Sequence, residues 1–262
     1  MEEHFSTPSI KKIPFTKDHG AGNRARLGLL VLESDQTIED EFKLLTQVKG
    51  VSVYHSRLSN DTIITSESLS KMEKQLPLAA SLLPKYLNLK VIGYGCTSGS
   101  TIIGETQVAN IIGKIHPKTP ITNPLTAAKK AFRALNINRL GLVTPYSPIV
   151  TKSMEINFKN SGFDINNIGS FYEEDDIVVG KIDQDSILRA TLEIGSKDQC
   201  DGVFISCTNL RASSIIKKAE VALNKPVTAS NHALAWHMLR LSGINDNIDG
   251  LGKLFHLLLE NN

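Results

Sequence analysis

Two short blocks hold the residues that could do chemistry. "VIGYGCTSGS" (residues 91–100) runs a β-branched stretch into Cys96, with Thr97 and Ser98 behind it, and "VFISCTNLRAS" (203–213) does the same for Cys207, Thr208 and Asn209. Each cysteine ends a predicted strand and precedes a predicted helix. A thiol there feels the positive end of the helix dipole and nearby N–H groups, which lower its pKa from about 8.5 toward neutrality. If the two strand ends face each other, a small molecule held between the thiols can lose a proton on one face and regain it on the other. Alternatively, one thiolate adds to a double bond while the other thiol supplies the proton. Neither scheme needs a cofactor. The third cysteine, Cys200, precedes a strand without polar company and reads as a buried core thiol.

Other chemistries fit less well. A dinucleotide loop needs G-x-G-x-x-G after the first strand of its unit, whereas Gly93-Tyr94-Gly95-Cys96-Thr97-Ser98 ends in serine and its strand is not the first. No C-x-x-C spacing or cysteine-flanked histidine pair is present for zinc. Net charge is only +2 and the basic runs are pairs such as Lys129-Lys130, which is not the basic stripe that nucleic acid binding requires. The apolar run Leu29–Leu32 is far below the ~20 residues of a membrane span, and no signal-peptide pattern precedes it. Three cysteines are an odd number and too few for a secreted disulfide framework. The expectation is a cytoplasmic protein with a small-molecule substrate, no metal, no cofactor, no nucleic acid and no membrane partner.

The elements that must position these residues alternate strand and helix, which implies parallel sheets with helices on both faces. Strands are predicted over 27–32, 51–54, 91–94, 140–143, 203–206 and 227–228. Helices are predicted over 38–49, 66–83, 101–112, 125–135, 149–161, 183–195, 214–223 and 233–241. The chain also repeats: "RLGLLV" at Arg26 returns as "RLGLVT" at Arg139, Cys96 as Cys207, and Asn123 as Asn231, at offsets of 113, 111 and 108 residues. Three offsets in order imply an α/β fold of two similar Rossmann-like parallel-sheet halves related by a pseudo-twofold duplication, with the active site between them. The expected divisions are an N-terminal extension (1–24), a first half (25–123 plus the returning C-terminal helices, 232–262) and a second half (124–231).

"GCTSG" and "SCTNLR", with "DQTIEDEF" (35–42), "NPLTAA" (123–128), "TPY" (144–146) and "SNHALAWHMLRLSG" (230–243), resemble the Asp/Glu racemase superfamily. The nearer likeness is to its maleate cis–trans isomerase and arylmalonate decarboxylase branch, and within it to the ectoine-utilisation members. The resemblance implies that Cys96 is the nucleophile and Cys207 the proton donor. It also implies that Thr97, Ser98, Thr208 and Tyr146 offer donors to a substrate carboxylate, where preorganised donors favour an enolate-like intermediate. The local alternative for Ser98 and Thr208 is helix capping. Asn209 is either a site amide or a cap, Asn123 and Asn231 fix loops, and His237 is a packing histidine. Decarboxylases of the branch keep only the second cysteine, so both together favour an isomerase or racemase over a decarboxylase. An amino-acid-type racemase of ectoine degradation and a non-catalytic binding protein on the same scaffold are the further alternatives. A homodimer or higher homo-oligomer is expected. Maleate isomerases place asparagines where this chain has Asp35 (or Gln36) and Asp176. An acid facing a carboxylate is repulsive, so an amino- or hydroxyl-bearing monocarboxylate, or an amino dicarboxylate, is expected to outcompete maleate.

Overall fold

The computed structural model describes residues 10–259. Two four-stranded, wholly parallel sheets form its frame. The first contains β1 (Ala25–Leu32), β2 (Val51–Leu58), β3 (Val91–Gly95) and β4 (Ile121–Thr122) in the order β2-β1-β3-β4. The second contains β5 (Arg139–Thr144), β6 (Asp164–Ser170), β7 (Gly202–Ile205) and β8 (Val227–Ala229) in the order β6-β5-β7-β8. The two orders are the same, as the sequence repeat requires. Leu27, Leu29, Leu30 and Val31 of β1 are fully buried, as expected of a central parallel strand covered on both faces.

Two strands have no forerunner in the sequence pattern. β4 is only two residues long, and β6 reads "DINNIGS". The latter lies at a sheet edge with a register irregularity opposite Leu140 and Gly141, so it needs little of the Val/Ile character by which buried strands are recognised.

The helices on the first sheet are α1 (Ile38–Leu45), α2 (Ser66–Lys71), α3 (Leu76–Ser81), α4 (Thr97–Ile103) and α5 (Glu105–Ile115). The single helix predicted over 66–83 is therefore divided, with Pro77 in the first turn of α3. There the missing N–H of proline costs no hydrogen bond. The helix predicted to begin at Thr101 begins instead at Thr97, directly after Cys96, and a second starts past Gly104. Gly104 has φ +95, a conformation that side-chain-bearing residues rarely adopt.

The second sheet is flanked by α6 (Pro124–Ala134), α7 (Pro148–Asn160), the short α8 (Asp176–Val179), α9 (Gln184–Gly195) and α10 (Ile216–Leu223). Phe132, Phe158, Phe163 and Phe204 pack edge to face, with centroids 5.2–5.7 Å apart, a favoured geometry for aromatic rings. The last helix, α11 (Ser230–Leu241), packs on α1, α6 and β3 and so joins the first sheet. Its Trp236 is fully buried. Arg240, also on α11, donates to the carbonyls of Ile244, Phe255 and Leu257 and so fastens the chain that follows. Residues 10–21 are exposed and form no helix or strand. Arg26 holds the base of this extension by donating to the carbonyls of His19 and Ala21.

Candidate active site

Cys96 follows the carboxyl end of β3 and is the N-cap of α4. Its Sγ accepts the Gly99 N–H at 3.2 Å and lies 3.7 Å from Ser98 Oγ. The turn is tight: a Cβ on Gly99 would stand 2.5 Å from the Tyr94 hydroxyl and 2.9 Å from Cys96 Sγ. Cys207 follows β7 at the equivalent place. Its φ of 111 is a sparsely populated region for a residue with a side chain, of the kind found at functional sites. Its N–H donates to Ser230 Oγ at 3.0 Å, and the same oxygen accepts from Thr97 Oγ1 at 2.7 Å. Ser230 thus ties the two cysteine-bearing turns together.

The two turns meet in one pocket. Cys96, Thr97, Ser98, Tyr146, Asp176, Cys207 and Thr208 all line it, together with Leu32, Asn60, Asp61, Ile64, Ser68, Leu69 and Met72. Thr97 and Ser98 are the first residues inside α4 and Cys96 is its cap, so capping does not account for either hydroxyl. The Tyr146 hydroxyl is buried without a hydrogen-bond partner. A polar group in that position is costly unless a ligand satisfies it.

Three of the residues singled out from the sequence lie behind the pocket rather than on it. Asp35 Oδ1 accepts the N–H groups of Thr37 and Ile38 at 2.8 Å each, holding the start of α1. Gln36 is exposed, and its side chain donates to the Ile177 carbonyl. Asn209 spans the cleft: its Oδ1 accepts from Gln36 N and its Nδ2 donates to the Asp176 carbonyl. Glu41 on α1 is a second clamp between the halves, accepting from Ser213 N and Asn231 Nδ2. Cys200 lies away from the pocket and donates to the Gly202 carbonyl. His237 bonds Thr122 Oγ1, and Asn123 caps α6.

The pocket is closed over by the chain between β2 and α3. Ile63 pairs with Asp175 in an isolated antiparallel bridge, Ile64 N donates to the Glu174 carbonyl, and Asp176 N donates to the Thr62 carbonyl. The cavity beneath has a volume of ≈ 20 Å³, about the space of one water.

The electrostatics overturn one expectation. The thiols are not lowered toward neutrality: burial pushes Cys96 up to about 11, against the opposing hydrogen bonds from Gly99 N–H and Ser98. Burial also raises Cys207 far above its ordinary value, with the charge of Asp176 next in importance. The helix start favours the thiolate, as the sequence implied, but Cys96 and Cys207 are only 3% and 6% exposed, and no Lys, Arg or His lines the pocket. Desolvation without a cation outweighs the dipole. Asp176 is itself raised, by burial first, while Ser34 Oγ donates to its Oδ2. Asp35, behind it, is pushed up to about 6 by burial.

Among the described residues no group of three His, Cys, Asp or Glu side chains is placed to hold a metal ion. No helix among them is long and apolar enough to cross a membrane.

Residues 63–255 match the arylmalonate decarboxylase family. The chain belongs to that family. Among curated relatives, the maleate isomerase of Nocardia farcinica is 25% identical over 243 residues, covering 87% of this chain and 94% of that protein. The maleate isomerase of Alcaligenes faecalis is 19% identical over 243 residues, covering 87% and 95%. A solved structure of the Nocardia farcinica maleate cis–trans isomerase, a Cys-to-Ser mutant with a covalently bound succinylcysteine intermediate, has a TM-score of 0.81 to this chain at 22% identity, covering 88% and 98%. These likenesses agree with the two-sheet α/β fold and with the maleate isomerase and arylmalonate decarboxylase branch of the Asp/Glu racemase superfamily.

Several residues in or behind the pocket of this family member escaped the sequence reading. Ser34, which bonds Asp176 from behind, was findable, because it stands two residues past β1 as Cys207 stands two past β7. Ser230 opens a helix after β8 and bonds both cysteine turns, yet "TASN" carries no mark of that partnership. Asn60, Asp61, Ile64, Ser68, Leu69 and Met72 reach the pocket only through the clasp.

Proposed function

We propose that this protein is a cofactor-independent cis–trans isomerase of a small α,β-unsaturated carboxylic acid, with Cys96 as nucleophile and Cys207 as proton donor and acceptor. The observation that carries this is the convergence of two thiols, from equivalent strand ends of the two halves, on one pocket. The maleate isomerase relatives and the succinylcysteine named for the Nocardia farcinica structure support it.

The chemistry balances without an external reagent. Cys96 first loses its proton to water, and its thiolate sulfur, which is regenerated as a thiolate at the end of the cycle, forms a bond to one alkene carbon. The π pair moves to the neighbouring carbon, which takes the Cys207 proton. The former double bond is now single and rotates. The Cys207 thiolate then removes the proton, the carbon–sulfur bond breaks, and the double bond re-forms in the trans geometry. The Ser98 and Tyr146 hydroxyls would hold the carboxylate and favour the charge that develops on it, while the Thr97 and Thr208 hydroxyls beside them donate to Ser230 Oγ and the Gly95 carbonyl. A decarboxylase needs only one proton donor at the reacting carbon and leaves Cys96 without a task. The sequence likeness of "DQTIEDEF" and "FISCTNLR" to ectoine-utilisation members favours a second reading, racemisation of an amino acid by the same two thiols. Homo-oligomeric assembly and a cytoplasmic setting belong to this reading, since three free, buried cysteines suit a reducing compartment.

Proton NMR of the purified protein with maleate and other cis unsaturated acids tests the proposal. The trans isomer is expected to accumulate with no added cofactor. Carbon dioxide release from a malonate, with no isomerisation of any acid, would replace it with the decarboxylase reading.

A further inference from the structure

The pocket's polar inventory is lopsided. Its hydroxyls are those of Thr97, Ser98, Ser68, Thr208 and the unpartnered, 1% exposed Tyr146. Its acids are Asp176, 4% exposed, and Asp61. No cationic side chain lines it. The groups that contact Asp176 are neutral: the Ser34 hydroxyl, the Asn209 amide on its carbonyl, and the Thr62 carbonyl on its N–H. Asp176 thus sits desolvated beside the reacting thiols with no counter-charge from the protein. A dicarboxylate substrate would bring a second anion against it.

We propose that Asp176 selects an ammonium group, so that the substrate is an amino-bearing, α,β-unsaturated monocarboxylate: carboxylate on the hydroxyls, ammonium on Asp176. This rests on the two-thiol reading above and names the class of acid that it acts on. A charge-assisted ammonium–carboxylate pair offsets the loss of water on binding. The same ammonium supplies the positive charge that the thiols lack. Burial holds Cys96 high, at about 11, and a cation placed in the pocket favours its thiolate. A dianion would push both thiols further up. Substrate binding and nucleophile activation then become one event. An empty pocket keeps its thiols neutral and unreactive.

The test uses unreactive ligands, so that it does not depend on the isomerisation chemistry. Binding of 4-aminobutyrate and succinate to the full chain is measured by calorimetry at pH 7.5. These are the saturated counterparts of cis-4-aminocrotonate and maleate. The expected result is 4-aminobutyrate at least ~10-fold tighter, with the preference lost or reversed in Asp176→Asn. In turnover, kcat/KM for cis-4-aminocrotonate should exceed that for maleate, and Asp176→Asn should invert the order. Succinate binding as well as or better than 4-aminobutyrate overturns the proposal, as does binding of neither or a preference that survives in folded Asp176→Asn. Succinate preferred with proton uptake would mark a protonated Asp176 that serves a dicarboxylate, and also overturns it. Should the variant fail to fold, the wild-type preference alone decides. A failure here leaves the two-thiol mechanism standing, because neither ligand has a double bond to react.

Discussion

Cys96→Ser and Cys207→Ser each lower turnover by about 10³-fold or more, and the double substitution is little worse than either. The thiols act as one unit, because addition without protonation, or protonation without addition, leads nowhere, and residues that act as a unit lose their effects non-additively. Serine is nearly the same size, so the pocket survives, but its hydroxyl is a poorer nucleophile and a weaker acid than a thiol. Cys200→Ser is the control. Its sulfur bonds the Gly202 carbonyl outside the pocket, and its loss should leave turnover nearly unchanged. Steady-state kinetics on the purified variants check all four. Turnover that survives Cys96→Ser but not Cys207→Ser would point to decarboxylase-type chemistry.

The second large effect is in pH. A Cys96 pKa near 11 in the free protein means that its thiolate fraction rises about tenfold per pH unit across the working range. Since kcat/KM follows the ionisation of the free enzyme, it should climb about 10²-fold between pH 7 and pH 9. Burial and the neighbouring Asp176 charge likewise raise Cys207 well above its ordinary value, which favours the protonated form that a proton donor needs. The sign is fixed: the nucleophile must lose a proton and burial opposes that loss, so alkali helps. A plateau or a bell centred near pH 7 would mean that the free protein already holds a thiolate there. A pH series of initial rates distinguishes the two.

The chemistry and the frame were legible for the same reason. A duplication copies strand ends along with strands, so the spacing of Cys96 and Cys207 announced both the two sheets and the pair of residues at their facing ends. The binding roles of Thr97, Ser98, Tyr146 and Thr208 came through resemblance, although each lies within three residues of the carboxyl end of a strand. Asp176 came through resemblance as well. No local pattern in "EEDDIVVG" marks it as the acid that the second half turns inward, and Asp35, equally acidic, turns out to accept the Thr37 and Ile38 N–H groups at the start of α1. What escaped was tertiary. The clasp is formed by Thr62, Ile63 and Ile64 against Glu174, Asp175 and Asp176, residues more than a hundred positions apart. The raised thiols belong with it: the helix start at Cys96 is visible in the sequence, whereas the removal of water from it is not. β6 escaped for the opposite reason, since an edge strand rich in Asn carries too little apolar pattern to be seen.

The central claim is that Cys96 becomes covalently bonded to the substrate while Cys207 moves the proton. Mass spectrometry of Cys207→Ser after incubation with a cis unsaturated acid, followed by peptide mapping, tests it most directly. Without Cys207 the carbon next to the new carbon–sulfur bond takes its proton slowly from water, and the adduct then lacks the group that removes it again, so a saturated acid attached through the Cys96 sulfur should accumulate over long incubation and be absent from Cys96→Ser. An adduct on Cys207 in the Cys96→Ser variant, or no adduct on Cys96 with an acid that the wild-type protein isomerises, would contradict the account.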